Sequence, residues 1–285
     1  MARFQIGVML DSFKIDINRA IEEAARLGVQ GVQAYAVDGE MKPSNLSEAR
    51  KKDILDRIQS HGMVVAAICG DLGGHGFTRE EENPCKIEES KRIVELAKQF
   101  ACNVVTTHIG VVPKDSTCKR YEVLAQACRE LGEFAQGMDA AFAVETGPET
   151  PETLCSFLKD VGTRGFCVNY DPANLVMVTG SDPVQGVYTL RDYIVHTHAK
   201  DGIMLKQSDP QVIYDFFAEG GIDDLNLKDY FLETPLGEGS VDFDAYLKAL
   251  DEIGYHGFLT VEREVGDTPA KDLAHAVRFL KERQG

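Results

Sequence analysis

The stretch Tyr193-Ile-Val-His-Thr-His198 is a short apolar run that ends on a residue able to bind a metal ion. Three more stretches end in the same way: Ala141-Phe-Ala-Val-Glu145, Phe166-Cys-Val-Asn-Tyr-Asp171 and Phe258-Leu-Thr-Val-Glu262. Apolar runs of this length are typical of buried parallel strands. Because parallel α/β folds collect the carboxyl ends of their strands on one face, we expect the four polar side chains to lie together there.

Apolar runs alternate with amphipathic helical patterns along nearly the whole chain. Strands are predicted at residues 4–10, 31–37, 63–69, 103–109, 140–145, 165–171, 193–199 and 257–262. Helices are predicted at residues 15–27, 47–61, 87–100, 118–138, 152–161, 182–191, 243–253 and 268–283. This alternation predicts a single-domain (β/α)8 TIM barrel over residues 1–285. A doubly wound open sheet is the alternative, but no glycine-rich phosphate fingerprint follows the first strand.

One long irregular region, residues 201–242, interrupts the pattern, with a helix indicated within residues 205–217. It follows the seventh strand, on the face where active sites form. Since loops of this length are usually functional or disordered, a lid or an insertion is expected there.

The composition narrows the classes of partner. The chain has 30 Lys and Arg against 46 Asp and Glu, a net charge of −16, which argues against nucleic acid as a partner. No stretch reaches the ~20 apolar residues of a membrane span. The seven cysteines form no CxxC pair, and the first residues read directly into a strand rather than a signal peptide. A cytoplasmic location is therefore expected.

Alternation along the strands places the four candidate ligands on one side. Ala141 and Ala143 share the side of Glu145, and His196 shares the side of His198, whereas the opposite positions are larger or more apolar. All four candidates can therefore point into the barrel.

Three carboxylates and one imidazole suit a hard divalent cation such as Mn²⁺, Mg²⁺ or Co²⁺, whereas zinc usually has more nitrogen or sulfur ligands. Such an ion could polarise a substrate carbonyl and stabilise an enediolate, while a glutamate removes or returns the neighbouring proton. The alternative is that Glu145 and Glu262 are strand-end carboxylates in ordinary ion pairs.

The chain resembles the xylose-isomerase-like TIM-barrel family of sugar isomerases and epimerases, which includes ketose 3-epimerases and inosose-processing enzymes. The resemblance covers essentially the whole chain. It is carried by these segments: Val144-Glu145-Thr-Gly, Asp171-Pro-Ala-Asn174, His196-Thr-His198-Ala-Lys-Asp201, Pro235-Leu-Gly-Glu-Gly239-Ser-Val-Asp-Phe243 and Gly254-Tyr-His-Gly-Phe-Leu-Thr-Val-Glu262.

The resemblance implies one divalent metal, most often Mn²⁺, with Glu145, Asp171, His198 and Glu262 as its ligands. It also implies that Glu145 and Glu262 form the acid/base pair, and that the chain assembles into a dimer or tetramer. Asn174 stands where many relatives have a histidine, and Met204 where some ketose epimerases have an arginine. The position of the reaction on the substrate is therefore not carried over.

Five further residues are candidates for binding substrate. His108 ends the fourth strand, with a rim histidine as the alternative, and Lys200 shares the side of His198, with a salt bridge to Asp201 or another acid as the alternative. The remaining candidates are Glu149, Asn174 and His75. Glu149 alternatively favours the N-terminus of the next helix.

Two other features are expected to be structural. His196 lies below His198, where a supporting hydrogen bond is expected. The Gly237-Glu-Gly239 segment is explained as well by a turn as by a phosphate cradle, and no cluster of Arg or Lys accompanies it.

The leading hypothesis is a metal-dependent isomerase or epimerase acting on an unphosphorylated sugar, keto-sugar or cyclitol. A lyase or dehydratase acting on a keto-sugar, keto-glycoside or inosose would use the same site. A DNA-repair endonuclease of the endonuclease IV type would need more histidine ligands and a basic groove. A non-catalytic sugar-binding protein is the fourth alternative.

Overall fold

The computed structural model describes residues 3–222 and 225–284. Its strands are β1 (Gln5–Met9), β2 (Gly31–Tyr35), β3 (Val64–Cys69), β4 (Val104–Thr107), β5 (Ala141–Glu145), β6 (Phe166–Tyr170), β7 (Ile194–Ala199), β8 (Asp201–Met204), β9 (Phe231–Thr234) and β10 (Phe258–Val261). Eight of them close a parallel barrel in the order β1-β10-β7-β6-β5-β4-β3-β2. The predicted (β/α)8 barrel is confirmed, and each barrel strand lies within its predicted range.

The helices are α1 (Ile17–Leu27), α2 (Glu48–Ser60), α3 (Asn83–Gln99), α4 (Lys119–Gly137), α5 (Pro151–Val161), α6 (Pro172–Asn174), α7 (Pro183–Leu190), α8 (Pro210–Ala218), α9 (Phe243–Glu252) and α10 (Pro269–Arg283). Helix α3 begins at Asn83 rather than at residue 87, because a proline in the first helical turn gives up no helical hydrogen bond. Helix α6 is a single turn that was not predicted, and a π-helical turn, Leu175–Thr179, continues it.

The expectation of one long irregular region at residues 201–242 is wrong in part, because helices and strands occupy about half of its described residues. β8 and β9 pair antiparallel outside the barrel, and α8 and a short 3-10 turn, Leu227–Asp229, lie between them. The predicted helix within residues 205–217 corresponds to α8, which starts later, at Pro210. Residues 223 and 224 of this region, and residues 1, 2 and 285 of the predicted domain, lie outside the described ranges.

The Gly237-Glu-Gly239 segment closes this insertion onto the barrel. The backbone N–H groups of Gly237, Gly239 and Val241 all donate to the carboxylate of Asp201 at 2.9–3.1 Å. A Cβ atom at Gly239 would lie 2.1 Å from Asp201 Oδ1, so the close approach requires glycine. The two glycines therefore hold an internal carboxylate, as a structural turn would.

The interior of the barrel beneath the strand ends is polar. Gln33, Thr106, Asn169 and His196 are all buried there, and Gln33 Nε2 donates to Thr106 Oγ1 at 3.0 Å. Apolar side chains fill the layer between the strands and the helices. This division agrees with the side assignments made for β5 and β7.

All seven cysteines are free thiols. Among residues 3–222 and 225–284, no helix is both long and apolar enough to cross a membrane.

Candidate metal centre

The four candidate ligands converge at the carboxyl ends of four barrel strands. Glu145 is the last residue of β5, Asp171 follows β6, His198 lies in β7 and Glu262 follows β10. One ligand atom from each residue lies within 4.8 Å of those from the other three. His198 Nδ1 is 3.5 Å from Glu145 Oε2, 3.6 Å from Asp171 Oδ2 and 3.3 Å from Glu262 Oε2. The predicted convergence is confirmed.

Asp171 is held so that one of its carboxylate oxygens is left for a ligand. Its Oδ1 accepts from the backbone N–H groups of Ala173 and Asn174, at 2.8 and 2.9 Å, and so caps α6. Its Oδ2 is buried, accepts no hydrogen bond and faces His198 Nδ1. A buried carboxylate oxygen without a donor is costly unless a cation satisfies it.

The charge balance of the cluster also fits a cation. Burial disfavours the charged form of His198, but Glu262 and Glu145 outweigh it and raise its pKa well above the usual value. Three buried carboxylates repel one another, so a positive charge among them stabilises the cluster. A divalent metal ion supplies this charge, and oxygen ligands with one imidazole nitrogen suit Mn²⁺, Mg²⁺ or Co²⁺. The residues present therefore fit the ion.

Gln33 on β2 fixes the orientation of the imidazole. Its Oε1 lies 3.2 Å from His198 Nε2 and 3.1 Å from His196 Nε2. A proton on His198 Nε2 donated to Gln33 leaves Nδ1 free to face the carboxylates. Burial lowers the pKa of His196 to about 3, so this second histidine supports the site as a neutral ring.

The two glutamates have different partners. Glu145 accepts from two amides, with Asn174 Nδ2 at 2.9 Å and Asn169 Nδ2 at 3.1 Å. Glu262 accepts instead from Lys200 Nζ at 3.0 Å. Burial raises the pKa of Glu262, but Lys200 and His198 outweigh it and lower the pKa below the usual range. Glu262 is therefore held ionised.

A cavity of about 700 Å³ opens beside Glu262. Of the predicted substrate-binding residues, His108, Lys200 and Asn174 line it. His108 Nδ1 is 3.1 Å from Asp71 Oδ2, and its Nε2 is 3.8 Å from Glu145 Oε1. Burial disfavours the charged ring of His108, but Glu145 and Asp71 outweigh it and raise its pKa to about 10.

Glu149 and His75 do not line this cavity. Glu149 is buried where its Oε2 accepts from Val112 N at 3.4 Å, and burial raises its pKa to about 8. His75 Nε2 lies 2.6 Å from Glu219 Oε1, beyond the end of α8, so it holds the insertion. The salt bridge considered for Lys200 is formed with Glu262 and Glu264 rather than with Asp201.

Two supporting residues, Gln33 and Asp71, were not singled out by the sequence. Gln33 lies in mid-strand, where only its contact with His198, far along the chain, reveals its role. Asp71 stands before the two glycines of the loop after β3, and that polar loop was the one available signal.

Comparisons with known proteins agree with this geometry. Residues 21–283 match the family model described as xylose isomerase-like TIM barrel. An uncharacterised protein of Methanocaldococcus jannaschii is 25% identical over 81% of this chain and 72% of its own length. An inosose dehydratase of Lacticaseibacillus casei is 26% identical, but the match spans only 58% of this chain and 54% of that enzyme.

Solved structures share the whole fold. A xylose isomerase domain protein from Planctomyces limnophilus superposes with a TM-score of 0.79 at 26% identity, covering 98% of this chain and 96% of that one. A xylose isomerase-like protein from Mycobacterium smegmatis, solved in complex with magnesium, has a TM-score of 0.70 at 17% identity, with complete coverage of both chains, and this likeness concerns the fold alone. With nearly its entire length matched, the chain belongs to the xylose isomerase-like TIM barrel family.

Proposed function

We propose that this protein is a divalent-metal-dependent isomerase or epimerase that transfers a proton next to the carbonyl of an unphosphorylated sugar, keto-sugar or cyclitol. The observation that carries the proposal is the position of Glu145 and Glu262 within one ligand cluster, beside a cavity and with different partners. Proton transfer at a stereocentre needs a base on one face and an acid on the other, and two separately held glutamates can supply both.

The ion, held by Glu145, Asp171, His198 and Glu262, would supply Lewis-acid polarisation of a substrate carbonyl, with Mn²⁺ preferred and Mg²⁺ or Co²⁺ as alternatives. Lys200 Nζ donates to Glu262 at 3.0 Å and holds it ionised, the form in which a carboxylate can act as a base. Glu145 is oriented by the amides of Asn169 and Asn174. Lys200 and His108 offer donors to substrate oxygens within the same cavity.

The pairing of the cations near the ligands supports an unphosphorylated substrate. Lys200 is paired with Glu262 and Glu264. Arg263 is paired with Glu233 at 2.7 Å and with Asp272 at 3.0 Å. Phosphate recognition uses free, often bidentate, cationic side chains, whereas Lys200 and Arg263 beside the ligand cluster have carboxylate partners, and Lys14 and Lys228 lie among the exposed residues of the lining.

His108 favours a dehydratase as the second candidate. It lines the cavity with its Nε2 3.8 Å from Glu145 Oε1 and its Nδ1 3.1 Å from Asp71 Oδ2, so its ring is placed to donate a proton to a substrate oxygen. A glutamate would remove a proton from the carbon next to the carbonyl, a carbon–carbon double bond would form, and the departing hydroxyl would take the proton of His108 to leave as water. The likeness to an inosose dehydratase supports this candidate as well.

The remaining alternatives have less support. A nuclease would need further ligands and a basic groove, whereas the net charge is −16. A cytoplasmic location, a small-molecule carbohydrate partner and assembly into a dimer or tetramer stay predictions.

Proton exchange in deuterated solvent tests the proposal. The Mn²⁺-loaded protein is incubated in D₂O with ketoses, 3-keto-sugars and inososes, and each product is analysed by NMR. Deuterium next to the carbonyl of a rearranged sugar supports the isomerase or epimerase, and loss of water supports the dehydratase. Absence of both exchange and product with every compound would count against an enzyme of either kind.

A further inference from the structure

The cavity beside the cluster is larger than a single sugar needs. A monosaccharide has about twelve non-hydrogen atoms, and at roughly 18 Å³ each in a close-packed interior it would fill about a third of the space. The cavity measures about 700 Å³, a volume typical of sites for larger organic molecules. Something besides the sugar ring is therefore expected to occupy it.

The lining of the cavity has a buried polar part beside the ligand cluster and large apolar side chains that reach solvent. The polar residues that reach the ligand cluster are buried, with Lys200 3% and Glu262 5% exposed. Toward solvent the lining includes large apolar side chains, with Phe217, Leu232 and Val265 61%, 47% and 46% exposed, beside the exposed charged residues Asp11, Lys14, Lys228 and Glu264. Large apolar side chains that stay exposed at the edge of a cavity indicate an apolar ligand group there.

The apolar mouth is built mainly by the insertion between β8 and α9. We name as the apolar wall the residues that it contributes, Ile213, Phe217, Leu227, Phe231 and Leu232. Helix α8 carries the first two and is fastened to the barrel by His75, which pairs with Glu219 and Asp215. The ring of Tyr214, on the same helix, lies 5.9 Å from the ring of His108. The apolar wall therefore adjoins the polar floor of the cavity, which we define as His108, Lys200 and Glu262.

We propose that the substrate is a sugar bearing an apolar substituent of about the size of an aromatic ring, with the sugar on the polar floor and the substituent against the apolar wall. This inference rests on the proposed function and names the substrate class of the same site. Lys14 and Lys228 also line the cavity, among its more exposed residues.

Binding of two glycosides tests the inference. The affinities of phenyl and methyl β-D-glucopyranoside for the Mn²⁺-loaded protein are measured by titration calorimetry. Burial of a phenyl ring should make the phenyl glycoside bind about tenfold more tightly or better. Equal affinities, or no binding of either glycoside, would overturn the inference.

Single substitutions test whether the apolar wall causes the preference for the phenyl glycoside. Phe217→Ser and Leu232→Ser, at exposed positions that tolerate polar residues, should each lower the ratio of phenyl to methyl glycoside affinity. Leu205→Ser is the matched control, because Leu205 is 55% exposed in the same insertion but does not line the cavity. A preference that persists in both wall variants, or that falls equally in the control, would refute the assignment.

Three further outcomes distinguish a failure of this inference from a failure of the proposed function. If Phe217→Ser converts a dimer to a monomer in sedimentation velocity without changing the glycoside ratio, the wall is a subunit interface and the inference is wrong. Deuterium exchange on unsubstituted sugars with equal glucoside affinities would refute the inference alone. A phenyl preference without exchange on any sugar would count against the proposed function alone.

Discussion

Gln33 illustrates how one buried amide can decide the chemistry of a distant imidazole. Its Oε1 accepts from His198 Nε2. Without this acceptor, the ring proton would no longer be held on Nε2 and the ring would be freer to rotate, so Nδ1 would be less available to a metal ion. Gln33→Met should therefore lower Mn²⁺ affinity by roughly tenfold or more, while Gln33→Glu, which keeps an oxygen acceptor, should restore much of it. Calorimetric Mn²⁺ titration checks this, and unchanged affinity in Gln33→Met would remove the supporting role.

Glu145 and Glu262 are predicted to matter beyond holding the ion. Gln keeps one oxygen for a cation but cannot accept a proton at neutral pH, so either substitution should reduce turnover by roughly 10²-fold or more in metal-loaded protein. Glu238→Gln, at an exposed position, is the control. The rate is read as deuterium exchange on whichever sugar the screen identifies, and full activity in both variants would leave the acid/base assignment without support.

The raised pKa of Glu149 predicts that the thermal stability of the protein depends on pH. Burial raises the pKa of Glu149 from its ordinary value of 4.5 to about 8 in the folded protein. The protonated carboxyl group therefore stabilises the folded state fully at a pH below its pKa in the unfolded chain. This contribution is lost as the pH rises to about 8. Glu149→Gln should therefore lose less thermal stability than the parent between pH 5 and pH 8.5. Melting temperatures of the parent, this variant and the exposed control Glu152→Gln check this, and identical slopes would contradict it.

At the scale of elements, the barrel strands were predictable because each is a short, mostly apolar run that alternates with a helical pattern, and four of these runs end on a candidate ligand. Alternation along β5 and β7 also placed Glu145 and His198 on the inner side. The hairpin of β8 and β9 was not predictable, since its strands have four residues each and pair across more than twenty intervening residues. The supporting contacts of Gln33 and Asp71 likewise depend on tertiary structure alone.

Asp201 is predicted to hold the insertion on the barrel. Removing its carboxylate would leave four backbone N–H groups without their acceptor, so Asp201→Ala should lower the free energy of unfolding by about 2–4 kcal/mol. Asp201→Asn keeps one acceptor oxygen and should lose less. Urea unfolding measures the change against the exposed control Asp229→Ala, and an effect no larger than that of the control would contradict the assignment.

At the scale of the whole molecule, the barrel brings together four ligands that are separated by up to 117 residues between Glu145 and Glu262. No local segment holds more than one of them, so the site exists only once the barrel has closed. The insertion then covers part of the same face and adds the apolar wall. Under the proposed function, the barrel supplies the metal ligands and the insertion supplies part of the cavity wall.

The stoichiometry of Mn²⁺ binding tests the central claim most directly. Metal-free protein, prepared with EDTA, is titrated with Mn²⁺ beside His198→Ala, Asp171→Asn and the exposed control His256→Ala. The parent and the control should bind about one ion per chain, and both ligand variants should bind it much more weakly. A parent that binds no Mn²⁺, or ligand variants that match it in stoichiometry and affinity, would contradict a metal centre built by these four residues.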